Sequence, residues 1–495
     1  MKKLLVANRG EIAVRVMRTA SEMGIRTVAV YSEADAGSLH VATADEAVCV
    51  GAAEPSRSYL DMGAILEAAR STGCDAIHPG YGFLSENPAF AGRVSEAGLT
   101  FIGPPVAAMR QLGNKTVARQ LATKARVPII PGTTKAGASM GELRESAELI
   151  GYPVLLKASA GGGGKGMRLV RSSVELEAAA ALASGEAQAA FGDGSIYLEK
   201  AIDRPRHVEV QVLGDRHGNL VHLFERECSI QRRHQKIIEE SPSTALTPEL
   251  REKMGTAAIA IARAAGYENA GTVEFLLDAT GKFFFLEVNT RLQVEHPVTE
   301  MVVGLDLVRH QIEIAEGKPL PFAQADLRQR GHAIECRIYA EDPAADFLPS
   351  AGRILAAAIP HGPGVRYDCG IQTGMDVPVH YDPILSKLIA WGETRDAAIR
   401  RMVRALRECV VLGVPTSIEL MLDVIGSDAF AAGATHTGFL QEHFASWQPS
   451  PEADEIARVA EAAARFASVP ATSNSTAQST ETPSPWMRIG RWDMA

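Results

Sequence analysis

The sequence predicts an α/β protein made of three folded units and a flexible C-terminal tail. The chain has 495 residues, which is too long for a single hydrophobic core. At its start, the apolar runs "LLVAN" and "TVAVYS" flank "RGEIAVRVMRTASEMG", whose apolar residues recur near helical spacing. This is the pattern of a β-α-β unit that opens a parallel sheet. The middle of the chain adds a glycine-rich loop between two strand-like runs and a hairpin with paired carboxylates.

Composition and charge exclude several classes of partner. The formal net charge is −9, so neither nucleic acid nor an acidic membrane surface is an expected partner. The six cysteines contain no CxxC pair, which argues against a zinc site or a disulfide framework and for a reducing compartment. No stretch approaches the roughly 20 apolar residues of a membrane span. We therefore expect a cytoplasmic protein.

The first unit is expected to occupy residues 1–113. After the β-α-β start, "DAIHPGYGFLSEN" has the pattern of a strand that runs into a loop rich in glycine and proline. In open α/β sheets, such loops are the usual place for a ligand. The sequence therefore predicts a ligand-facing loop near residue 80.

Two further units and a tail follow. "NKTVARQLATKARVPIIPG" predicts a helix followed by two proline breakers, and it opens the second unit. The third unit begins after about residue 330 with the strand patterns "GHAIECRIYAE" and "HYDPILSKLIAWG" and the helix "TRDAAIRRMVRALREC". Beyond Gln448, a Ser/Thr/Pro-rich stretch predicts a flexible linker. It ends in "WMRIGRWDMA", whose two tryptophans raise the hypothesis that residues 470–495 dock a partner.

The glycine-rich loop "KASAGGGGKG" fits a phosphate flap better than a dinucleotide motif. The Walker pattern fails, because Ser159 and Gly166 stand where glycine and Ser/Thr are needed. Gly161, Gly163 and Gly166 formally fit GxGxxG, but "MRLVRS" behind them predicts a strand rather than the required helix. The loop thus joins two strands, and its amides can close on phosphate. The alternative is a mobile surface turn, and Lys157 before the glycines either snorkels or meets an anion.

A second candidate site is the hairpin "TVEFLLDATGKFFFLEVN". A turn centred on Thr280 and Gly281 places Glu274 opposite Glu287, and facing carboxylates are destabilising unless a cation lies between them. Asn289 follows on the same face. Two carboxylates and an amide oxygen are hard ligands suited to Mg²⁺ or Mn²⁺. A solvated edge strand is the alternative, although the run of phenylalanines is apolar for a free edge.

Two basic and polar stretches add candidate anion contacts. In "EVNTRLQVEHPVTE", Arg291, Gln293 and the Val294 amide could hold a small planar oxyanion, and Glu295 could take a proton from it. Ordinary charge pairing is an equally good explanation of that spacing. "ECSIQRRHQKIIEE" concentrates donors that could neutralise phosphate or a second anion, although a basic surface strand would look the same. His207, which opens a strand, is more often structural than a ligand.

Together these motifs resemble those of the ATP-grasp fold, and their amino-acid sequences are similar to those of the biotin carboxylase family. The matching stretches are "VANRGEIAVRV", "HPGYGFLSEN", "KASAGGGGKGM", "EKAIDRPRHVEVQVLGD", "ERECSIQRRHQK", "EVNTRLQVEHPVTEM" and "ECRIYAEDP", and the resemblance runs from about residue 2 to 445. It implies an N-terminal Rossmann-like domain at 1–113, an ATP-grasp domain at 114–320 with a mobile α+β lid at about 131–203, a C-terminal α+β domain at 330–446, and a linker and tail at 447–495.

The resemblance also implies a reaction and its residues. ATP and bicarbonate would form carboxyphosphate, which passes CO₂ to a ureido nitrogen of biotin. The residues expected to hold the nucleotide are Lys115, Lys157, Gly163, Gly164, Glu199, Lys200, Ile202, His207, Gln231, His234 and Glu274. Two Mg²⁺ or Mn²⁺ ions would bind to Glu274, Glu287 and Asn289. Bicarbonate would bind to Lys236, Arg291, Gln293 and the Val294 amide, with Glu295 as general base. Arg337 would stabilise the biotin enolate, with Tyr81 nearby; the expected catalytic residues are thus Lys236, Arg291, Glu295 and Arg337.

The expected partners follow from what the sequence does not contain. No A-M-K-M segment for a biotinylated lysine is present, so biotin is expected on a separate carrier protein, or the chain was cut before a carrier domain. The resemblance further implies a homodimer or larger complex with a carboxyltransferase subunit. "RIYAEDP" and "HYDPILSKLIAWG" favour the acetyl-, propionyl- or methylcrotonyl-CoA carboxylase branch. Two alternatives stay open: an ATP-grasp ligase that makes an acyl or carbamoyl phosphate, and a non-catalytic scaffold.

Overall fold

The computed structural model describes residues 1–133, 137–159, 166–451, 456 and 459–463. Gly163 and Gly164 of the glycine-rich loop and the tail at 470–495 lie outside the described residues. Among the helices in the described ranges, none combines enough length and apolarity to cross a membrane.

The N-terminal part is a parallel sheet flanked by helices. Its elements are β1 (Lys3–Val6), α1 (Gly10–Glu22), β2 (Arg26–Ser32), α2 (Leu39–Thr43), β3 (Glu46–Gly51), α3 (Met62–Ser71), β4 (Ala76–His78), α4 (Pro88–Glu96), β5 (Thr100–Phe101) and α5 (Val106–Leu112). The strand order is β3-β2-β1-β4-β5, and every neighbouring pair is parallel. The predicted β-α-β start and Rossmann-like sheet are confirmed.

The loop after β4 is fixed against the end of β1, where the strand order changes direction. The Asn8 amide nitrogen donates to the carbonyl oxygens of Pro79 and Tyr81, each at 2.7 Å. Gly80 has a φ of 63°, and a Cβ there would lie 2.9 Å from the Asn8 amide nitrogen. Only glycine fits this close approach without strain. The predicted ligand-facing loop is therefore held in place by contacts at its base.

The next part is a small antiparallel sheet with two helices. Its elements, with the helix that precedes them, are α6 (Lys115–Lys124), α7 (Met140–Ile150), β6 (Val154–Ala158), β7 (Arg168–Val170), α8 (Leu176–Phe191) and β8 (Ile196–Lys200). The strand order is β7-β6-β8, and both pairs are antiparallel. The prediction that the glycine-rich loop joins two strands is confirmed, because β6 ends at Ala158 and β7 begins at Arg168.

The remaining strands and helices complete the chain. They are β9 (Arg206–Gly214), β10 (Leu220–Arg232), β11 (Gln235–Ser241), α9 (Pro248–Ala264), β12 (Asn269–Leu277), β13 (Phe283–Asn289), α10 (His296–Val303), α11 (Leu307–Ala315), β14 (His332–Tyr339), β15 (Glu341–Asp342), β16 (Leu348–Pro349), β17 (Gly352–Arg353), β18 (Ala356–Ala358), β19 (Val365–Cys369), β20 (Asp376–Val377), β21 (Ile384–Gly392), α12 (Arg395–Glu408), β22 (Val410–Leu412), α13 (Ile418–Gly426), α14 (Asp428–Ala431) and α15 (Phe439–His443).

One eight-stranded antiparallel sheet connects the second and third predicted units. Its order is β13-β12-β9-β10-β11-β14-β21-β19. The link is the β11–β14 pair, in which Ile238 faces Cys336 and Glu239 faces Glu335. Because β14 and β21 come after residue 330, side chains from both units reach neighbouring positions of one rigid sheet.

The β12–β13 hairpin has the predicted pairing at the carboxylates but a different turn. Glu274 lies directly opposite Glu287, as expected, whereas Phe275 faces Phe285 rather than Leu286. A bulge at this point inserts one extra residue into β13. The turn is therefore centred one half-residue earlier than Thr280-Gly281 predicts. β13 is an edge strand, and the Phe285 amide donates to the Pro128 carbonyl at 2.7 Å, so its apolar arm is covered by the preceding segment.

Candidate active site

A buried lysine held by three carboxylates forms the centre of the site. Lys236, near the start of β11, donates to Glu209 at 2.5 Å, to Glu274 at 2.8 Å and to Glu295 at 2.7 Å. Its partners come from β9, β12 and the segment before α10, so the sheet brings distant parts of the chain together. Burial by itself would lower the pKa of Lys236, but the three carboxylates raise it well above its usual value. Lys236 is therefore a permanent cation.

Arg226 lies behind this centre and is fully buried. Its Nε donates to Glu209 at 2.6 Å, and one of its Nη atoms donates to the Gln293 side-chain oxygen at 3.0 Å. Its other acceptors are the side-chain oxygens of Gln211, Thr272 and Thr299. All the polar atoms of a buried guanidinium need such partners. Arg226 thus fixes Gln293, one of the predicted bicarbonate ligands.

Glu274 accepts hydrogen bonds from several predicted site residues. The side-chain amides of Asn289 and Gln293 donate to its Oε1 at 2.7 and 2.8 Å. The Nε2 atom of His207 lies 2.9 Å from its Oε2. Burial would raise the pKa of Glu274, but Lys236 and then His207 hold it well below its usual range. The carboxylate is therefore ionised, as a metal ligand must be.

Glu295 is held between two cations. Lys236 donates to its Oε1, and an Nη of Arg337 donates to its Oε2 at 2.9 Å. Burial opposes ionisation, but Lys236, Arg337 and Arg226, in that order, hold the pKa of Glu295 well below its usual range. The ionised state is the one that a general base requires. The sequence alone left open whether Glu295 takes part in ordinary charge pairing, and in this structure it pairs with two of the three predicted catalytic cations, Lys236 and Arg337.

Arg291 lies just beyond the end of β13 and is held at the rim of the site. Its Nε donates to Glu86 at 3.0 Å, and an Nη donates to the Asn289 side-chain oxygen at 3.1 Å. Glu86 also accepts from the Thr290 amide at 3.0 Å. Glu86 belongs to the loop of the N-terminal part, so this loop orients the arginine. β13 ends at Asn289, so Arg291 is positioned by these contacts and not by the strand.

The small antiparallel sheet contributes a second cluster of charges. Lys157, at the end of β6, donates to the Glu199 carboxylate at 2.5 Å, and Arg119 of α6 binds the other oxygen of Glu199. Lys115, the first residue of α6, lies 3.7 Å from Glu287. Lys157 therefore meets a carboxylate of its own chain, rather than remaining an unpaired cation for phosphate.

The other residues predicted to bind the nucleotide differ in how far their side chains are already hydrogen-bonded. Gln231 lies opposite Lys236 in the β10–β11 pair, and its amide donates to the Cys228 carbonyl and faces His207 Nδ1 at 2.8 Å. His234 stands in the turn, with a φ of 69°. Lys200 donates to the Gly151 and Tyr152 carbonyls, so its ammonium group is already engaged. Ile202 follows β8 and is half-buried.

Tyr81 lies where the N-terminal part, β21 and the segment before α10 meet. Its hydroxyl donates to Glu11 of α1. The fully buried Lys387 of β21 lies 3.2 Å from the other Glu11 oxygen and donates to the Val294 carbonyl at 2.9 Å. Lys387 thus ties the N-terminal helix to the peptide that joins Val294 to Glu295.

The oxygen donors near Glu274 fit a hard divalent cation. Within the described residues, His207, Glu209 and Glu274 bring three possible ligand atoms within 4.8 Å of one another, and so do Glu209, Cys228 and Glu295. The predicted ligand Glu287 is more exposed and faces Lys115. Carboxylate and amide oxygens are the donors that Mg²⁺ and Mn²⁺ prefer.

Sequence reasoning missed several residues that hold the site together. Arg119, Glu209, Arg226 and Lys387 contact predicted residues directly. Glu209 lies in the alternating strand β9, and Arg226 lies between Glu225 and Glu227 in β10. The available signal was charge inside predicted strands, since a charged side chain is rarely buried without a partner.

Comparisons with known families cover nearly the whole folded chain. Residues 1–109 match "Biotin carboxylase, N-terminal domain", residues 114–323 match "Carbamoyl-phosphate synthase L chain, ATP binding domain", and residues 335–442 match "Biotin carboxylase C-terminal domain". The fold and the site thus define an ATP-grasp ligase. Both flanking matches are to biotin carboxylase domains.

Individual relatives agree with this class. The chain is 52% identical over 441 residues to a pyruvate carboxylase subunit of Methanothermobacter thermautotrophicus, and the match covers 89% of this chain and 90% of that protein. It is also 52% identical over 440 residues to "Biotin carboxylase" of Nostoc sp., covering 89% of this chain and 98% of that protein. The chain belongs to the biotin carboxylase family, whose reaction is the ATP-dependent carboxylation of biotin, the first half-reaction of biotin-dependent carboxylases.

Solved structures show the same fold. A biotin carboxylase–ATP complex from Campylobacter jejuni has a TM-score of 0.87 and 47% identity, covering 89% of this chain and 99% of that one. The biotin carboxylase domain dimer of Hydrogenobacter thermophilus 2-oxoglutarate carboxylase, in complex with MgADP, ADP and bicarbonate, has a TM-score of 0.87 and 46% identity. That match covers 89% of this chain and 97% of that one.

Proposed function

We propose that this chain carboxylates biotin on a separate carrier protein, with bicarbonate and ATP as the other substrates and carboxyphosphate as the intermediate. The observation that carries the proposal is the position of Glu295 between Lys236 and Arg337. These cations are the residues that the family resemblance assigns to bicarbonate and to biotin. A carboxylate that touches both can serve both halves of the reaction.

Bicarbonate binding is assigned to Lys236, Arg291, Gln293 and the Val294 amide. Bicarbonate is a poor nucleophile, so it needs a fixed orientation and a base. When Lys236 turns from Glu295 to the bound anion, the pKa of Glu295 rises from its depressed value, because its nearest cation is then shared. Glu295 then takes the proton from bicarbonate as the oxygen attacks the γ-phosphate.

Nucleotide binding is assigned to the second cluster and to residues on β9, β10 and β12. The assigned residues are Lys115, Lys157, Gly163, Gly164, Glu199, Lys200, Ile202, His207, Gln231, His234 and Glu274. Phosphoryl transfer is mainly a matter of positioning and charge neutralisation. Lys157 would exchange the Glu199 carboxylate for a phosphate oxygen, and Arg119 would remain to balance Glu199.

Metal binding is assigned to Glu274, Glu287 and Asn289, with two Mg²⁺ or Mn²⁺ ions. The support is the directly opposed pair of carboxylates, which is unfavourable without a cation. When bound, the ions neutralise charge on the transferred phosphoryl group. The protein's own contribution is to keep Glu274 ionised, through Lys236 and His207, and to orient Asn289 through Arg291.

Biotin is assigned to the neighbourhood of Arg337 and Tyr81. Arg337 is buried, and its planar guanidinium can donate two parallel hydrogen bonds. It can therefore stabilise the enolate oxygen that develops as the ureido nitrogen reacts. Tyr81 is fixed by Glu11 at the same side. The glycine-rich loop would protect carboxyphosphate from water, although its residues lie outside those described.

The partners of this chain belong to the same proposal. They are a biotin carboxyl carrier protein or domain, a carboxyltransferase subunit, and a second copy in a homodimer or larger complex, all in the cytoplasm. Relatives of 50–53% identity include subunits of pyruvate, propionyl-CoA and methylcrotonoyl-CoA carboxylases. Sequence identity therefore does not identify the acceptor of the carboxyl group, and the acyl-CoA carboxylase branch stays a prediction. The domain limits at 113, 320, 330 and 446 also stay predictions.

The proposal is tested by label transfer from radioactive bicarbonate to free biotin. The wild-type protein should give acid-labile labelled biotin that requires ATP, and Glu295→Gln should lower this rate by about 10²-fold or more. ATP binding, measured by calorimetry, should stay unchanged in the variant. Equal label transfer by Glu295→Gln would remove Glu295 from its role as base.

A further inference from the structure

Two buried carboxylates stand face to face next to the site without a full set of partners. Glu239 of β11 lies directly opposite Glu335 of β14, and both are fully buried. Within the part of the chain that the structure describes, neither oxygen of Glu335 and only one oxygen of Glu239 has a hydrogen-bond partner. Unpaired buried polar groups are rare and often mark function. No predicted role in the reaction uses either residue.

Arg337 is the cation that these carboxylates share. It follows Glu335 by two residues on β14, so both side chains lie on one face of the strand. Its Nε donates to Glu239 at 2.6 Å, while its Nη donates to Glu295 at 2.9 Å. One guanidinium therefore bridges a residue inside the proposed site and a residue behind it.

Among the described residues, the cations on the neighbouring strands are paired with other carboxylates and none pairs with Glu335. Lys387 of β21 is already paired with Glu11 at 3.2 Å and lies 3.8 Å from Asp368. Lys236 is committed to three other carboxylates. Burial raises the pKa of Glu335 well above its usual value, and Glu239 and Glu295 add to this against Lys387 and Arg337. Glu335 therefore keeps its proton.

Glu239 is the member of the pair that contacts a cation, because Arg337 donates to it. Its pKa is raised to about 7, since burial and the nearby Glu295 together outweigh Arg337 and Lys236. Two buried carboxyl groups with one nearby cation favour a single negative charge. That charge sits on the residue that Arg337 contacts.

We propose that Glu239 is a positioning residue for biotin carboxylation: by accepting a hydrogen bond from Nε of Arg337, it keeps the guanidinium from pairing with Glu295 through more than one of its nitrogens. This inference rests on the proposed roles of Arg337 and Glu295. Without Glu239, the guanidinium keeps Glu295 as its one carboxylate partner and turns toward it. Arg337 then withdraws from biotin, and its closer pairing with Glu295 lowers the basicity of that carboxylate.

The first test separates positioning from stability. Glu239→Gln should lower kcat/KM for free biotin by about 10- to 100-fold, the usual effect of misplacing a reacting group by about 1 Å. The KM for ATP should change by less than about twofold, since the hydrogen bond of Glu239 goes to Arg337, which is assigned to biotin and not to the nucleotide. If the variant lost ATP and biotin kinetics in equal measure, Glu239 would be structural and the inference would be overturned.

A matched control lies next to it on the same strand. Glu240 is also buried, and it pairs with His332 at 2.6 Å and with Arg395 at 2.7 Å, away from the site. Glu240→Gln removes a buried carboxylate of the same kind and should lower thermal stability while leaving kcat/KM for biotin within about twofold. An equal loss of biotin kinetics in both variants would contradict a role specific to Glu239.

A double-mutant cycle decides whether Glu239 acts through Arg337. Arg337→Lys removes the rigid planar fork through which Glu239 would orient the guanidinium, so adding Glu239→Gln to it should cause no further loss beyond about twofold. Multiplied losses would overturn the inference. If Arg337→Lys alone left biotin kinetics intact, the role proposed for Arg337 would fail instead. Should Glu239→Gln not fold, Glu239→Asp serves, since it keeps the charge but shortens its reach; wild-type kinetics with Asp would also contradict the inference.

Discussion

At the scale of single residues, the role proposed for Arg291 is activation of bicarbonate and not binding of ATP. Arg291 contacts Glu86 and Asn289 and no residue of the Lys157–Glu199 cluster. Arg291→Ala should therefore lower bicarbonate-dependent turnover by about 10²-fold or more, the typical effect of removing a donor to a reacting oxyanion. ATP affinity, measured by calorimetry, should be nearly unchanged.

Glu86→Gln is the control for this prediction, because it keeps the arginine and removes only its orienting carboxylate. It should give a smaller loss than Arg291→Ala. If ATP affinity collapsed in Arg291→Ala, the arginine would belong to the nucleotide site.

A second residue-scale prediction concerns acid stability of the N-terminal part. His78 is fully buried; the Gly80 amide donates to its Nδ1 at 3.0 Å, and its Nε2 faces Gln311 at 3.2 Å. Burial lowers its pKa to about 4. The folded state thus binds this proton less readily than the unfolded state, so the stabilisation present above about pH 6.5 is lost as the pH falls toward 4, by about 3 kcal/mol at most.

His78→Asn retains an acceptor for the Gly80 amide and cannot take the proton. The variant should lose less thermal stability than wild type between about pH 7 and pH 4.5. The exposed His361 provides a control, and His361→Asn should behave as wild type. The same acid sensitivity in His78→Asn as in wild type would contradict the assignment.

The sequence predicted residues that sit in long motifs and missed those that support them. Lys236, Arg291, Gln293 and Glu295 occur within two compact stretches, and the structure brings them together. Arg226 lies between Glu225 and Glu227 in one of these motifs, and its five acceptors come from four other segments of the chain. Only the folded sheet creates that neighbourhood, so the local pattern shows a charge within a strand but not its partners.

At the scale of elements, the β12–β13 hairpin is where sequence reasoning was partly right. The pairing of Glu274 with Glu287 was predicted, but the bulge at Leu286 was not, because alternation of side chains does not reveal an extra residue. The error in the centre of the turn and the missed bulge shift the register in opposite directions, so the predicted pairing of the two carboxylates was still correct. The parallel N-terminal sheet and the strand after the glycine-rich loop were predictable, since both depend on local periodicity.

The hairpin also makes a prediction about metal dependence. Glu287→Gln removes one negative charge from the opposed pair and should raise the Mg²⁺ concentration for half-maximal activity by about tenfold. Lys115 also loses its 3.7 Å partner in this variant, so Lys115→Met is the control that removes the same contact and keeps the carboxylate. An unchanged Mg²⁺ titration in Glu287→Gln would contradict the hairpin as a metal site.

At the scale of the whole molecule, the site depends on one sheet that crosses two predicted units. Glu209, Glu274, Lys236 and Glu239 lie on strands before residue 330, whereas Arg337 comes from β14 after it. The β11–β14 pair joins residues about a hundred positions apart, a separation that sequence periodicity cannot bridge. The third unit therefore contributes Arg337 to the candidate active site through this shared sheet.

The most direct test of this account is ADP release by the purified chain with bicarbonate, with and without free biotin. Wild-type protein should release ADP faster when biotin is added, and the increase should vanish when bicarbonate is removed. Arg337→Lys should lose the increase and keep the basal rate, because Arg337 is assigned to biotin and not to ATP. A bicarbonate-dependent rate that biotin does not change would contradict the proposed biotin carboxylation.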